Sequence, residues 1–113
     1  MHYTLDGEGT PVYEPDLLTW ARWYEENPEA LRVRKDTLTV GGEEVLVSTV
    51  FLASDHDFRL LPSGRGSDAP VLWELMVFGG ADDGYQERFR SKESALERHR
   101  AVVELLKAGG TLE

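Results

Sequence analysis

Alternating hydrophobic and polar positions dominate the middle of the chain, where two glycines interrupt the pattern. Residues 37–40 and 43–52 are strand-like segments separated by Gly41 and Gly42. Because a glycine pair readily adopts the positive φ angles of a two-residue turn, this stretch predicts a β-hairpin. Both alternating sets of residues 45–52 are apolar or small, which is typical of a strand covered on both faces.

Two more strand signals follow the hairpin, and weaker ones precede it. Residues 71–78 are strongly apolar, and residues 85–90 predict a more polar return strand. Short strands are predicted at residues 2–5 and 31–35. Residues 61–70 are rich in Gly, Ser and Pro, which indicates a loop inside the domain because strong strand signals flank it.

Helical spacing appears near both ends of the chain. In residues 14–27, apolar residues recur at intervals of three and four, and Pro28 ends the pattern. Residues 92–108 show similar spacing, with Ser91 as an N-cap and two glycines after the last turn. We therefore expect a single α+β domain over residues 1–113. Its core would be an antiparallel meander sheet of four to five strands, with an N-terminal and a C-terminal helix packed on it.

Composition narrows the classes of function. The 12 basic and 21 acidic residues give a net charge of −9, which argues against direct nucleic-acid binding because that needs a basic face. No apolar run approaches the ~20 residues of a membrane span, and the first residues lack the features of a signal peptide. The absence of cysteine excludes disulfides and thiolate chemistry. The sequence thus predicts a cytoplasmic protein that does not bind membranes.

Negative charge is concentrated at the start of the chain. Residues 1–30 contain seven of the 21 acidic residues and one basic residue, Arg22. This N-terminal segment either faces a basic partner surface or is an ordinary solvated surface. The residues that would contact such a partner are Glu14, Asp16, Glu25, Glu26 and Glu29. The same region is rich in tryptophan and tyrosine, for which core packing is favoured over base stacking because no basic groove accompanies them.

The segment Asp55-His56-Asp57 follows the most apolar strand, where sites are often built. A histidine between two carboxylates could serve turn and capping roles, contact a ligand, or take part in acid–base chemistry. Adjacent residues rarely converge on one ion, and no HxH or HExxH spacing occurs, so neither a metal nor a cofactor is expected.

Glu74 and His99 are polar residues at positions where apolar ones are expected. Glu74 lies mid-strand and must be paired if it is buried, either with Arg88 or Arg90 on the next strand or inside a pocket. His99 interrupts the apolar stripe of the last helix, which is typical of a satisfied core histidine. If His56, Glu74 and His99 converge, they form a small polar pocket for a ligand.

Several segments, in order, resemble a family of small proteins from phages and prophages. Residues 48–58 (STVFLASDHDF) are similar to an STVFLGLDHNF segment, and residues 70–80 (PVLWELMVFGG) to a PLLFETMVFGG segment. Residues 20–25 resemble the family's tryptophan-containing first helix, and residues 87–99 its arginine-aromatic strand and following helix. Ala53 stands where the family has Gly, and Asp57 where it has Asn. The resemblance implies a phage setting but carries over no established activity.

Two main hypotheses of function remain, beside a structural or assembly role as a third option. The favoured one is an accessory protein of phage type, acting in the cytoplasm of a bacterial host. It would bind a basic host protein or a small ligand to counter host defence, and a homodimer is left open. The alternative is a small hydrolase that acts on a nucleotide or phosphoester through His56 with Asp55 or Glu74. No nucleophile–base set with characteristic spacing is present, so binding is favoured over catalysis.

Overall fold

The computed structural model describes residues 1–55 and 69–112, and it shows an α+β fold with helices in the N-terminal and C-terminal regions. Two antiparallel sheets are present in the described part. The elements in chain order are β1 (Tyr3–Leu5), β2 (Pro11–Tyr13), α1 (Leu17–Glu26), α2 (Pro28–Leu31), β3 (Arg32–Val40), β4 (Glu43–Phe51), β5 (Trp73–Phe78), β6 (Gln86–Phe89) and α3 (Lys92–Lys107).

The larger sheet is a meander of strand order β3-β4-β5-β6, in which every neighbouring pair is antiparallel. The predicted hairpin is confirmed: Gly41 and Gly42 have φ angles of 59° and 84° and join β3 to β4. Gly79 is required at the end of β5, because a Cβ there would lie 2.4 Å from the carbonyl oxygen of Glu44. The sheet is thus built from local hairpins, apart from the longer connection between β4 and β5.

One face of this sheet, the inner face, packs against α3. Val45 and Val47 of β4 and Leu75 and Val77 of β5 form a cluster with the helix residue Val102. Ser91 caps the helix, since its hydroxyl oxygen accepts a hydrogen bond from the backbone N–H of Ser94 at 3.1 Å. The apolar face that the sequence predicts for α3 therefore packs on the sheet.

The N-terminal elements join the same side of the sheet at its other end. Phe51, Ala53 and Trp73 form a second buried cluster against which Trp20 and Trp23 of α1 pack. Ala53 has a positive φ of 62°, and its carbonyl accepts hydrogen bonds from the backbone N–H of Tyr3 and the indole N–H of Trp20. The Ala53 carbonyl therefore links both β1 and α1 to the end of β4 by hydrogen bonds.

Three expectations need correction. The two strands predicted at residues 31–35 and 37–40 are one continuous strand, β3. Pro28 ends α1 but also begins the short helix α2, because proline suits a first helical position. The prediction that β4 is covered on both faces is wrong for the described part of the chain. Its inward residues are buried, whereas its outward residues such as Leu46 and Val50 are only half-buried.

Candidate functional site

Asp55 contributes to the framework of the domain. One oxygen of its carboxylate, Oδ1, accepts a hydrogen bond from the backbone N–H of Val71 at 2.9 Å, just before β5. Its own N–H donates to the carbonyl of Met1 at 3.0 Å. The side chain therefore links the end of β4 to the start of the next strand. His56 and Asp57, the other two predicted residues of this segment, lie outside the described residues.

Glu74 lies on the outer face of the sheet, the face turned away from α3. Its Oε2 accepts a hydrogen bond from Nε of Arg88 at 2.9 Å and another from the side-chain amide of Gln86. The sheet register places Arg88 directly opposite Glu74. Of the two partners suggested by the sequence, Arg88 is therefore the correct one, and Arg90 instead donates to the carbonyl of Ala69. The carboxylate is held in a structural ion pair.

His99 is completely buried between α3 and the inner face of the sheet. Its Nε2 lies 2.7 Å from Oδ2 of Asp36 in β3, and its Nδ1 lies 2.7 Å from the hydroxyl of Thr49 in β4. Since the carboxylate only accepts, we infer that the neutral ring carries its proton on Nε2 and that Thr49 donates to Nδ1. This buried histidine is satisfied on both nitrogens, as the sequence suggested.

The electrostatics of this buried group favour the neutral ring. Burial lowers the pKa of His99 below its ordinary value of 6.5, and the hydrogen bond to Asp36 opposes that effect. The same bond, together with one from Arg34, lowers the pKa of Asp36 below its ordinary value of 3.8. His99 is therefore a neutral hydrogen-bond bridge between helix and sheet at pH 7.

Hydroxyl, imidazole and carboxylate here form a chain similar in composition to a nucleophile–base–orienter set. The sequence did not reveal it, because Thr49 and Asp36 lie 50 and 63 residues from His99 in the chain. Polar residues at inward positions of two neighbouring strands were the only signal. The Thr49 hydroxyl belongs to a side chain with no exposed surface, so substrate has no access to it. The chain of hydrogen bonds is structural.

Glu74 and His99 do not converge. In the register of β4 with β5, Thr49 is opposite Leu75, whereas Val50 is opposite Glu74. Consecutive residues of a strand point to opposite faces, so the His99 partner Thr49 and the side chain of Glu74 lie on opposite sides of the sheet. A common pocket for these two residues is therefore excluded.

The predicted partner-binding acids lie in and around α1 and α2. Asp16 is the N-cap of α1, and hydrogen bonds from the Thr19 hydroxyl and the Leu18 backbone N–H lower the pKa of Asp16. Glu14 accepts a hydrogen bond from the backbone N–H of Asp16 at 3.1 Å. The remaining three predicted residues are exposed acids at the end of α1 and the start of α2: Glu25, Glu26 and Glu29.

Exposed apolar side chains beside these acids are a feature that the sequence does not predict. The helix α1 has no buried residue, and Leu17 and Leu18 are 59% and 75% exposed. Tyr24 and Tyr13 are also exposed, so core packing accounts for only part of the N-terminal aromatic residues. The spacing of Leu17 and Tyr24 around Trp20 predicts one apolar face, but only the tryptophan reaches the body of the domain.

Among residues 1–55 and 69–112, no three histidine, aspartate or glutamate side chains are placed to hold a metal ion. No helix in the same residues is long and apolar enough to cross a membrane. Comparisons with protein families, with curated proteins and with solved structures give no match to this chain. The geometry thus defines a small α+β domain whose most distinctive surface is the acidic and apolar one around α1.

Proposed function

We propose that this protein binds a basic partner protein through the surface around α1 and is not an enzyme. The observation that carries the proposal is the distribution of exposed large apolar side chains. Of the eight exposed large apolar side chains in residues 1–55 and 69–112, six lie within the first 24 residues: Met1, Val12, Tyr13, Leu17, Leu18 and Tyr24. Exposed apolar patches rimmed by polar residues are typical of protein–protein interfaces.

The apolar part of this surface is not needed by the core. Leu18 sits in the first turn of α1 and is three-quarters exposed, and Tyr24 lies near the other end of the helix. The helix is held through Trp20 and Trp23 instead, since Trp20 donates to the carbonyls of Tyr3 and Ala53 at 3.1 and 3.0 Å. The leucines and the tyrosine therefore remain available as anchors for a partner.

The charge around these anchors defines the chemistry of the partner. Glu25, Glu26 and Glu29 are exposed, and Arg22 is the single basic residue in the first thirty. A complementary surface would present lysine or arginine residues around an apolar centre. Charge complementarity of this kind mainly accelerates association and selects the partner, while desolvated apolar anchors supply most of the affinity.

The resemblance to small phage proteins makes bacterial host proteins the first class of partner to test. In this proposal the protein acts in the cytoplasm of an infected cell and counters host defence by occupying a basic protein. A second copy of the chain is the alternative occupant.

The contacts of the predicted site residues support binding over hydrolysis. Asp55 holds a backbone N–H, Glu74 is paired with Arg88, and His99 is buried. A hydrolase would need His56 together with one of these two carboxylates. No contact in the described residues favours that alternative, and it stays a prediction.

The test compares two variants with the same change of charge. The first carries Glu25→Lys, Glu26→Lys and Glu29→Lys, and the control carries Glu43→Lys, Glu97→Lys and Glu104→Lys, three exposed acids elsewhere in the fold. Each protein is immobilised, incubated with bacterial lysate at low and high salt, and the retained proteins are quantified by mass spectrometry. We expect a basic protein retained by the wild type and the control, lost from the first variant and weakened by salt.

A second pair of variants, each replacing an exposed leucine, tests the contribution of the apolar anchors separately from that of charge. Leu18→Ser should abolish retention of the same protein, whereas Leu105→Ser, at an exposed position of α3, should leave it unchanged. If every protein retained by the wild type is retained equally by the Glu25/Glu26/Glu29 variant and by Leu18→Ser, the proposed surface is wrong. Native mass spectrometry of the isolated protein identifies the remaining case, a homodimer lost in Leu18→Ser.

A further inference from the structure

A cavity of about 480 Å³ lies between the β1–β2 hairpin, the start of β5 and the start of α3. Its volume falls in the range of small-molecule sites, roughly 300–1,000 Å³. Tyr3, Pro11 and Pro70 contribute to its wall, and Leu72 and Trp73 connect it to the buried core. The cavity therefore offers an apolar surface to a ligand, and none of the predicted site residues in the described part of the chain lines it.

Charged groups of both signs surround this apolar wall. Arg90 and Lys92 supply two cations, and Glu8 and Glu93 supply two carboxylates, so the formal charge of these four groups is balanced. The guanidinium of Arg90 donates to the carbonyl of Ala69, which holds Arg90 at the wall. A ligand that carried only one sign of charge would meet repulsion from half of these groups.

The ammonium group of Lys92 is placed where it could contact a ligand in the cavity. Among residues 1–55 and 69–112, no carboxylate forms an ion pair with Lys92, although Glu8 and Glu93 line the same cavity. The ammonium lies across from Gly9, where a Cβ would be 3.9 Å from Nζ. Gly9 has a φ of 82°, so the hairpin places bare backbone opposite the charge and leaves room beside it.

We propose that this cavity binds a small zwitterionic ligand with an apolar or aromatic side chain, of the chemical class of a free amino acid. Lys92 would hold the carboxylate, and Glu93 or Glu8 the ammonium group. The side chain would lie against Tyr3 and the core edge at Leu72 and Trp73. This site is separate from the surface around α1, and its failure would leave that proposal unaffected.

The experiment uses three probes that share one benzyl group and differ in charge. L-Phenylalanine is the zwitterion, N-acetyl-L-phenylalanine the anion and L-phenylalaninamide the cation. Each is titrated into the isotope-labelled full-length protein, and backbone amide shifts are followed by NMR. We expect saturable shifts at Gly9, Thr10 and Ser91, with phenylalanine binding at least about threefold more tightly than either other probe because only it satisfies both signs of charge.

Two matched substitutions on α3 check the assignment. Lys92→Gln should weaken the binding of phenylalanine about three- to fivefold, a modest effect because the side chain is exposed, and should not weaken that of phenylalaninamide, which loses only a repulsion. Lys107→Gln, which removes the same charge in the last turn of the helix, should change neither. The proposal is overturned if no probe gives saturable shifts at the cavity, if a singly charged probe binds most tightly, or if both substitutions have equal effects.

Discussion

The helices α1 and α3 are both amphipathic, but they serve the fold in different ways. The sixteen residues of α3 include five buried ones, among them His99 and Val102. The ten residues of α1 include none, and Leu18 is among the most exposed apolar residues of the described chain. The difference teaches that an apolar stripe in a sequence identifies a helix without showing what covers the stripe. In α3 it is the sheet, and in α1 much of the stripe is left to solvent or a partner.

The largest expected effect comes from truncating the same residue type in the two regions. Leu75 has no exposed surface and packs in the α3 cluster, so Leu75→Ala should lower the free energy of unfolding by about 2–5 kcal/mol. Leu18→Ala should change it by no more than about 0.5 kcal/mol. Urea denaturation measures both values. Equal losses would show that α1 is as much a part of the core as the sheet.

The buried hydrogen-bond bridge is the next test. Thr49→Val keeps the shape of the side chain but removes the donor to Nδ1 of His99, which should cost about 1–3 kcal/mol of stability. The same substitution at the exposed residue Thr37 of β3 is the matched control and should be nearly neutral. If Thr49→Val is as neutral as Thr37→Val, the bridge contributes nothing measurable to stability.

Stability should also depend on pH through this bridge. Because the folded protein lowers the pKa of His99 below 6.5, the unfolded chain binds more protons between the two pKa values. Stability should therefore fall as the pH drops below about 6.5, by at most about 1.4 kcal/mol per pH unit for one proton. The lowered pKa of Asp36 adds a second loss as the pH falls through 3.8. NMR titration of the His99 ring checks the cause directly, and a folded-state pKa above 6.5 would contradict it.

The smallest expected effect is on the outer face of the sheet. The side chain of Arg88 is 40% exposed and that of its partner Glu74 is 11% exposed, so solvent screens the pair. Arg88→Met should lower stability by no more than about 1 kcal/mol, because Gln86 still donates to the carboxylate. The difference from the wild type should shrink in high salt. A loss of stability above about 2 kcal/mol would show instead that Glu74 and Arg88 are strongly coupled.

Local patterns predict much of this fold. Alternation and turn glycines indicate the meander, and the Ser91 cap and apolar spacing indicate α3, because these features depend on near neighbours in sequence. The strand β2 escapes prediction, since it has three residues and gains its structure from pairing with β1. The helix α2 is not predicted either, because a proline that ends one helix can also begin another.

The candidate sites are less predictable for a physical reason. The sequence indicates that His99 points inward, but its partners Asp36 and Thr49 depend on the register of three strands and a helix. The alternation of residues 71–78 likewise places Glu74 among apolar residues. It does not show that the hydrogen bonds of His99 lie on the opposite face of the sheet.

The Ala53 carbonyl has a consequence for the order of folding. The N–H of Tyr3 is satisfied by a carbonyl fifty residues later in the chain, at an alanine with a φ of 62°. The meander and α3 can form from local hairpins and their neighbours, whereas the first strand must wait for this long loop to close. We therefore expect the N-terminal elements to dock last and to exchange their amide hydrogens first. The surface proposed for binding would then be the least cooperative part of the domain.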